Sequence, residues 1–318
     1  MHTHIKYYPA MKPKTKKRLI TYSIIVGGCI ALGGASGIIA KRAFGPIDVD
    51  DSSFNPALFA ADINSIYSRY ESYSGTDYHK SFTASELVNI ALEKYRRCEN
   101  SFSMGYGAPV AMGVAQQIRS AQIKNVDSYF EESASRGVVG MAVRSFQEGK
   151  DGSVRYYMQS DKSYVSENAE KASYPSNPIE LSHEDYKIKW GKTLDEMFIY
   201  IISNKTILSS DVEVNKDNYV ITLNLNPDTS TYYYKSQMVT ISGLSSRPPF
   251  KQEKLTYTLS KELDLQALKA EEIYTATMAS IPMPATVNAT LHYKYFPNQY
   301  YKIPELTESL DYSLVKGE

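Results

Sequence analysis

The sequence predicts an α+β protein: one N-terminal transmembrane helix, then amphipathic helices followed by a run of antiparallel strands. Three observations carry this expectation. Residues 19–40 run 22 positions without a charge. Beyond them, apolar residues recur first at helical spacing and then, past Pro109, at every second position. Tyrosine is the compositional outlier, 27 residues against 10 Phe and one Trp, and a ring with a polar tip suits half-buried sheet faces. With 42% hydrophobic residues among 318, the chain can bury a sizeable core.

The segment LITYSIIVGGCIALGGASGIIA, residues 19–40, covers the ~30 Å hydrocarbon core at about 1.5 Å per helical residue. Leu19, Ile24, Ile25, Val26, Ile30, Leu32, Ile38 and Ile39 supply its apolar surface. Lys14, Lys16, Lys17 and Arg18 precede it, whereas Lys41 and Arg42 are soon followed by Asp48, Asp50 and Asp51. That asymmetry keeps residues 1–18 as a basic cytoplasmic tail and sends the main domain across the cell membrane, giving a single-pass, extracytoplasmic topology with the bilayer as partner. Two other readings share these residues. Residues 19–32 resemble the apolar region of a cleaved signal peptide, with Ala35-Ser36-Gly37 as small residues for a peptidase. Val26-Gly27-Gly28-Cys29 loosely resembles a lipidation site. The apolar run through Ile38 and Ile39 to a charged stop favours the uncleaved anchor. Gly33 and Gly37 stand at the close-approach spacing of paired membrane helices, which offers a weak dimer contact.

Residues 1–42 hold eight Lys/Arg and no Asp or Glu, leaving 27 Lys/Arg against 35 Asp/Glu in the remainder. An acidic domain argues against a nucleic-acid partner, because duplex binding needs several phosphate-neutralising cations. Cys29 lies in the span and Cys98 stands alone, so no disulfide framework exists outside the membrane. A bacterial surface protein fits that pattern better than a eukaryotic secreted one.

Residues 41–54 read as a linker, 55–304 as the extracytoplasmic domain and 305–318 as a tail. A helix is expected from Asn55, with Pro56 at its first position, to about Tyr70; Leu58, Phe59, Ile63, Ile66, Tyr67 and Tyr70 form its stripe. The capping box Thr83-Ala84-Ser85-Glu86 opens a second helix that buries Leu87, Val88, Ala91, Tyr95 and Cys98, the last as a small core residue. Strands are expected near 110–114, 127–135, 138–147 and 153–160, the last two joined by the turn Glu148-Gly149-Lys150-Asp151-Gly152. Residues 161–189, broken by Pro175 and Pro178, read as a long loop. A second capping box, Thr193-Leu194-Asp195-Glu196, opens a short helix carrying Met197, Phe198, Ile201 and Ile202. Strands at 206–215 and 218–226 follow, then a helix capped by Asp228 through about Met238. Three strands close the domain, near 253–260, 266–279 and 285–296; QALKAEE inside the middle one also has helical propensity. Helices followed by antiparallel strands make an α+β layer plan.

The order of these elements resembles a known family. A helix (SELVNIALEKYRRCENS) leads into long antiparallel strands (VAQQIRSAQIKNVDSYFEESAS, then MAVRSF and GSVRYYMQSD). A later close runs YVITLNLNPD, KLTYTLSKELDLQALKAEEIYTATM and ATVNATLHYKYF. Over roughly residues 83–296 this is similar to bacterial extracytoplasmic lipoprotein-carrier (LolA/LppX-like) half-barrel proteins, including an uncharacterised Gram-positive surface branch. The resemblance implies a curved antiparallel sheet wrapped round helices, with an apolar hollow for acyl chains or another hydrophobic ligand. The chain departs from those carriers in its membrane span and its additional helix before residue 83.

Motifs of catalysis are sparse. His79, His183 and His292 lie in the outer domain without H-E-x-x-H or Cys/His spacing. Adjacent residues His183-Glu184-Asp185 point apart rather than converge on a metal. No G-x-S-x-G elbow, P-loop or G-x-G-x-x-G stretch occurs, so neither enzyme activity nor a cofactor is expected. Glu131-Glu132 are neighbours along a strand and face opposite sides, which is wrong for paired acid–base work. Aromatic residues are the candidate ligand contacts: Tyr274, Tyr293 and Tyr295, the latter two in a cluster with Phe296, Tyr300 and Tyr301, and the run Tyr232-Tyr233-Tyr234. The expected function is a membrane-anchored extracytoplasmic binding module for a lipid or other hydrophobic ligand. Alternatives are a cell-envelope protein–protein interaction module with a filled core, and a cell-wall hydrolase, which needs clustered acids in a cleft.

Overall fold

The computed structural model describes residues 54–111, 113–115, 117–137, 140–148, 153–159, 179–190, 200–242, 244, 246–278 and 281–295. The anchor at 19–40 and the tails at 1–18 and 305–318 lie outside these residues. Among the described residues no helix is long and apolar enough to cross a membrane.

The domain is one open, curved antiparallel sheet with a few helices packed on it. Its strands are β1 (Ser101–Gly107), β2 (Val110–Ala111), β3 (Val114–Ala115), β4 (Gln117–Asn125), β5 (Ser128–Gly137), β6 (Gly140–Glu148), β7 (Ser153–Gln159), β8 (Ile179–Ser182), β9 (Ile207–Val214), β10 (Asn218–Leu225), β11 (Phe250–Ser260), β12 (Leu265–Met278) and β13 (Ile281–Tyr295). The helices are α1 (Ile63–Glu71), α2 (Tyr78–Ser81), α3 (Ala84–Arg97), α4 (His183–Trp190), α5 (Pro227–Ser230) and α6 (Tyr232–Ser242). Strand order is β8-β7-β6-β5-β4-β1-β13-β12-β11-β10-β9, with β2 and β3 paired beside β13. Thus β1 meets β13 mid-sheet, and a meander extends from each side of that pair.

Helix α3 places the core. Thr83 and Glu86 close its N-terminus as a reciprocal capping box, and its apolar stripe buries Leu87, Val88, Ile90, Ala91 and Tyr95. These side chains meet the inward row of the sheet, including Tyr219, Ile221 and Leu223 on β10, Leu255 and Tyr257 on β11, and Tyr293 on β13. A second core gathers Tyr234, Met238 and Val239 of α6 with Phe250, Tyr274, Met283 and Val287. Positions between the inward ones on β13, such as Thr286, Asn288 and His292, are exposed, as a sheet with one solvated face requires.

Past β13 the apolar side changes face. Register sets Ser103 beside Tyr293, Gln122 beside Ser103, and Glu131 beside Gln122, so the inward row turns polar. Ser103 Oγ donates to Gln122 at 3.1 Å, and Gln122 Nε2 donates to Glu131 at 3.4 Å. Lys124 Nζ donates to the Arg96 carbonyl at 2.6 Å, a cation at the C-terminal end of α3 where the helix dipole favours one. On the same strands the opposite face carries Phe102, Met104, Ala121, Ile123 and Phe130, all buried.

Several expectations are corrected. The helix from Asn55 to Tyr70 is a 3-10 turn, Pro56–Leu58, followed by α1, because the Asp62 side chain accepts from Ser65 N at 3.1 Å and starts a new helix inside the apolar run. The strand at 110–114 is two short bridges around Gly113, whose φ of 76° turns the chain. The loop at 161–189 ends in β8 and α4; residues 161–178 lie outside the described ones. Ile201 and Ile202 sit in an irregular segment rather than a helix, while the capping box at 193–196 lies outside the described residues. Asn226, not Asp228, caps α5, its side chain accepting from Asp228 N at 3.0 Å. Cys98 terminates α3 half-buried, its Sγ donating to the Asn100 carbonyl. Pairing on both edges overrides the helical propensity of 266–272, which lies in β12.

In urea denaturation of the full-length protein, Leu87→Ala is expected to cost about 2–5 kcal/mol by opening a cavity in the core. Thr83→Ala is expected to cost about 1 kcal/mol by removing the cap.

Candidate functional site

A cleft of about 260 Å³ lies between the first described segment, α3 and the segment preceding β9. Ala60, Ala61 and Ile63 form one wall; Tyr200, Ile201, Ile202 and Tyr233 form the other. From α3 come Asn89, Leu92, Glu93 and Arg96, which share one face by their i, i+3, i+4, i+7 spacing. The apolar members dominate, with the charged pair at one side.

Each wall is tied down. Asn89 Nδ2 donates to the Ile202 carbonyl at 2.9 Å, and Ile201 N donates to the Ser230 carbonyl at 2.8 Å. Lys205 Nζ donates to the Leu58 carbonyl at 2.8 Å. Glu93 accepts from Arg96 Nε and Nη2 at 2.7 and 2.6 Å, and from Arg97 Nε at 2.7 Å. The hydrogen bonds from Arg96, helped by Arg97, hold the Glu93 carboxyl below the usual range against the opposing effect of burial.

Behind the cleft lies a pair of enclosed acids. Glu253 on β11 and Glu272 on β12 are direct cross-strand partners and are 1% and 2% exposed. A register shift between Phe250 and Gln252 brings both Phe250 and Glu253 to the inward face. Glu272 accepts from Tyr200 Oη at 2.6 Å and from Tyr234 Oη at 3.2 Å. Among the described residues neither oxygen of Glu253 has a hydrogen-bond partner. Burial drives Glu272 up to about 8, against the lowering effect of its two tyrosine donors. Burial, and then repulsion from Glu272, pushes Glu253 well above the carboxylate range. Tyr200 joins the two features, lining the cleft while its hydroxyl holds Glu272.

The aromatics expected to face a ligand lie elsewhere. Tyr274 stacks on Phe250 with ring centroids 4.8 Å apart in the second core. Tyr293 meets Tyr95 edge-on at 5.1 Å, and Tyr295 Oη accepts from Leu265 N at 2.8 Å. None of the three lines the cleft. The run Tyr232-Tyr233-Tyr234 divides, because consecutive helical residues point about 100° apart. Tyr232 lies under the Arg247 guanidinium, Tyr233 lines the cleft, and Tyr234 reaches Glu272.

His79 packs near Tyr219, His183 opens α4 and His292 sits on the exposed face of β13. Among the described residues no three His, Cys, Asp or Glu side chains converge to hold a metal. The Glu253–Glu272 pair was missed in the sequence because its members stand on different strands. One signal was available: each occupies an inward position of an alternating strand, in step with Leu255 and Tyr257 or with Leu268 and Ala270.

No family model matches the chain, and no curated protein matches it. Among solved structures it is similar to a DUF1329 family protein from Desulfovibrio piger, at 10% identity over 68% of this chain and 93% of that one, with a TM-score of 0.25. It is also similar to a dehydratase domain from the CurK module of the curacin polyketide synthase, at 10% identity over 68% and 84%, TM-score 0.14. An N-terminal dehydratase from the difficidin assembly line matches at 11% identity over 65% and 82%, TM-score 0.14. Likenesses this slight assign neither family nor chemistry.

The acid pair makes stability depend on pH. Unfolded, both carboxyls return to the ordinary value of 4.5. Between 4.5 and about 8 the folded state therefore binds more protons than the unfolded one, and stability falls as pH rises. Denaturation of the full-length protein from pH 5 to 8 is expected to show a loss of about 1.4 kcal/mol per pH unit for each acid, up to about 3 for the pair. Glu272→Gln is expected to reduce that slope, Glu253 still contributing through its burial.

Proposed function

We propose that this chain is a membrane-anchored extracytoplasmic binding module whose cleft takes a small apolar group, such as the end of an acyl chain or a single ring. The observation that carries this reading is the cleft itself, an apolar recess walled by Ile63, Leu92, Ile201 and Ile202 with a charged pair beside it. A few convergent polar groups around an apolar recess is the usual form of a small-molecule site. A volume of about 260 Å³ exceeds the ~150 Å³ known to hold benzene, and α3 and α6 fill the neighbouring inward face of the sheet. The ligand is therefore small, or enters by one end.

The anchor supports the location. Residues 19–40 are uncharged and preceded by cations. Some twenty residues separate their end from Ala60, a reach of at most ~70 Å even fully extended, so the cleft opens within that distance of the bilayer. The element order of the sequence resembles that of lipoprotein carriers, which supports the same ligand class. Pairing of two copies through Gly33 and Gly37 is part of this proposal.

Binding is tested with 4-fluorobenzyl alcohol, a neutral ring probe followed by fluorine NMR on full-length protein in nanodiscs, against empty nanodiscs. Saturable binding is expected, with displacement by octanoate. Ala60→Trp, which fills the mouth from an exposed position, should weaken it at least tenfold without changing the melting temperature. No saturable binding, or full affinity in Ala60→Trp, removes the reading. Location is tested separately: external protease added to intact cells should degrade the domain, and a protected or soluble domain contradicts the anchor.

A further inference from the structure

The cleft and the buried acids share a residue. Tyr200 lines the cleft, meets the Tyr234 ring edge-on at 5.4 Å, and donates to Glu272 at 2.6 Å. Its place therefore depends on Glu272, whose cross-strand partner Glu253 is 1% exposed and, among the described residues, has no hydrogen-bond partner. Directly opposed residues stand about 5 Å apart across a sheet, and in a dry site two like charges at that separation repel far more strongly than in water. A second negative charge must be removed by a proton or relieved by water. Phe250 and Tyr274 neighbour the pair in the same inward rows of β11 and β12, and Tyr257 lies near enough to feel the Glu253 charge. Tyr200 is the side that opens on the cleft.

We infer that the Glu253–Glu272 pair is a proton-operated latch on the cleft. With the pair neutral, Tyr200 stays seated against Glu272 and Tyr234 and the cleft keeps its inner wall. With both acids ionised, water enters past Tyr200, the wall loosens and an apolar occupant is released as pH rises. Occupancy of the cleft in turn holds protons on the pair, as reciprocal linkage requires. This regulation rests on the ligand reading above.

Among the described residues the other titratable groups near the pair are Tyr257 on β11, Tyr200 and Tyr234, with Tyr274 next to Glu272 in the inward row of β12. Lys235 on α6 lies 5.7 Å from the Phe250 ring centroid and 3.8 Å from Asp228. Burial raises Tyr200 and Tyr257, so both stay protonated through neutrality. Burial lowers Lys235, so Lys235→Met serves as the control for its charge.

The affinity of full-length protein in nanodiscs for 4-fluorobenzyl alcohol, whose charge is constant, is measured from pH 6 to 9. Wild type and Lys235→Met are expected to weaken at least fivefold over that range, Glu253→Gln and Glu272→Gln less than twofold. Binding that is flat with pH in wild type, or that shifts equally in the glutamine variants, overturns the latch and leaves the cleft standing. A second measurement needs no ligand: amide hydrogen exchange at residues 200–203, corrected for intrinsic rate. Protection should fall from pH 6 to 9 in wild type and hold in Glu253→Gln; equal protection at both pH values overturns the latch even where no probe binds.

Discussion

Exclusion of water between α3 and the inward row of β10–β13 is the constraint on which the rest depends. A sheet with one solvated face cannot persist unless its other face is covered, and Leu87, Val88, Ile90 and Ala91 provide that cover. Polar contacts then orient what the apolar contact has placed. Lys94 Nζ meets Asp264 at 2.5 Å and ties α3 to the β11–β12 turn, where Leu263 holds a φ of 64° with its side chain buried. Once α3 is seated, its opposite side presents Asn89, Leu92, Glu93 and Arg96, so the cleft is a by-product of the same helix that fills the core.

Buried polarity occurs in two forms on the inward face. Across β1, β4 and β5, Ser103, Gln122 and Glu131 hydrogen-bond one another in a row. Such a network stabilises a unique arrangement because its members satisfy each other. Glu253 and Glu272 differ: among the described residues Glu272 takes two tyrosine donors and Glu253 none. An apolar pair at these positions would pack without penalty, so retaining two acids sacrifices stability, the pattern expected where a site does something besides hold the fold together.

Legibility followed the kind of signal each element carries. Helix α3 could be read because its capping box and its apolar stripe are both local. Strand β10, NYVITLNL, could be read from its strict alternation. Strand β1 was overlooked although Phe102, Met104 and Tyr106 alternate along it: its remaining positions are Ser and Gly, weak strand formers, and they face a polar part of the sheet. Four of the eleven cleft residues were visible, since Ile63, Ile201, Ile202 and Tyr233 were all picked out, yet they were assigned to separate elements. The acids escaped because periodicity marks apolar residues and treats a charge in the same register as noise.

By itself the sequence determined the α+β class, the uncharged stretch at 19–40 with its lopsided cations, and the helix that covers the sheet's inward face, since each rests on residues a few positions apart. Tertiary structure alone decided that β1 pairs with β13, that the sheet's apolar side reverses there, and that Glu253 and Glu272 stand opposite each other behind Tyr200. These facts depend on strand register and on a bulge, and register is set by contacts between residues far apart in the chain, which no local pattern encodes.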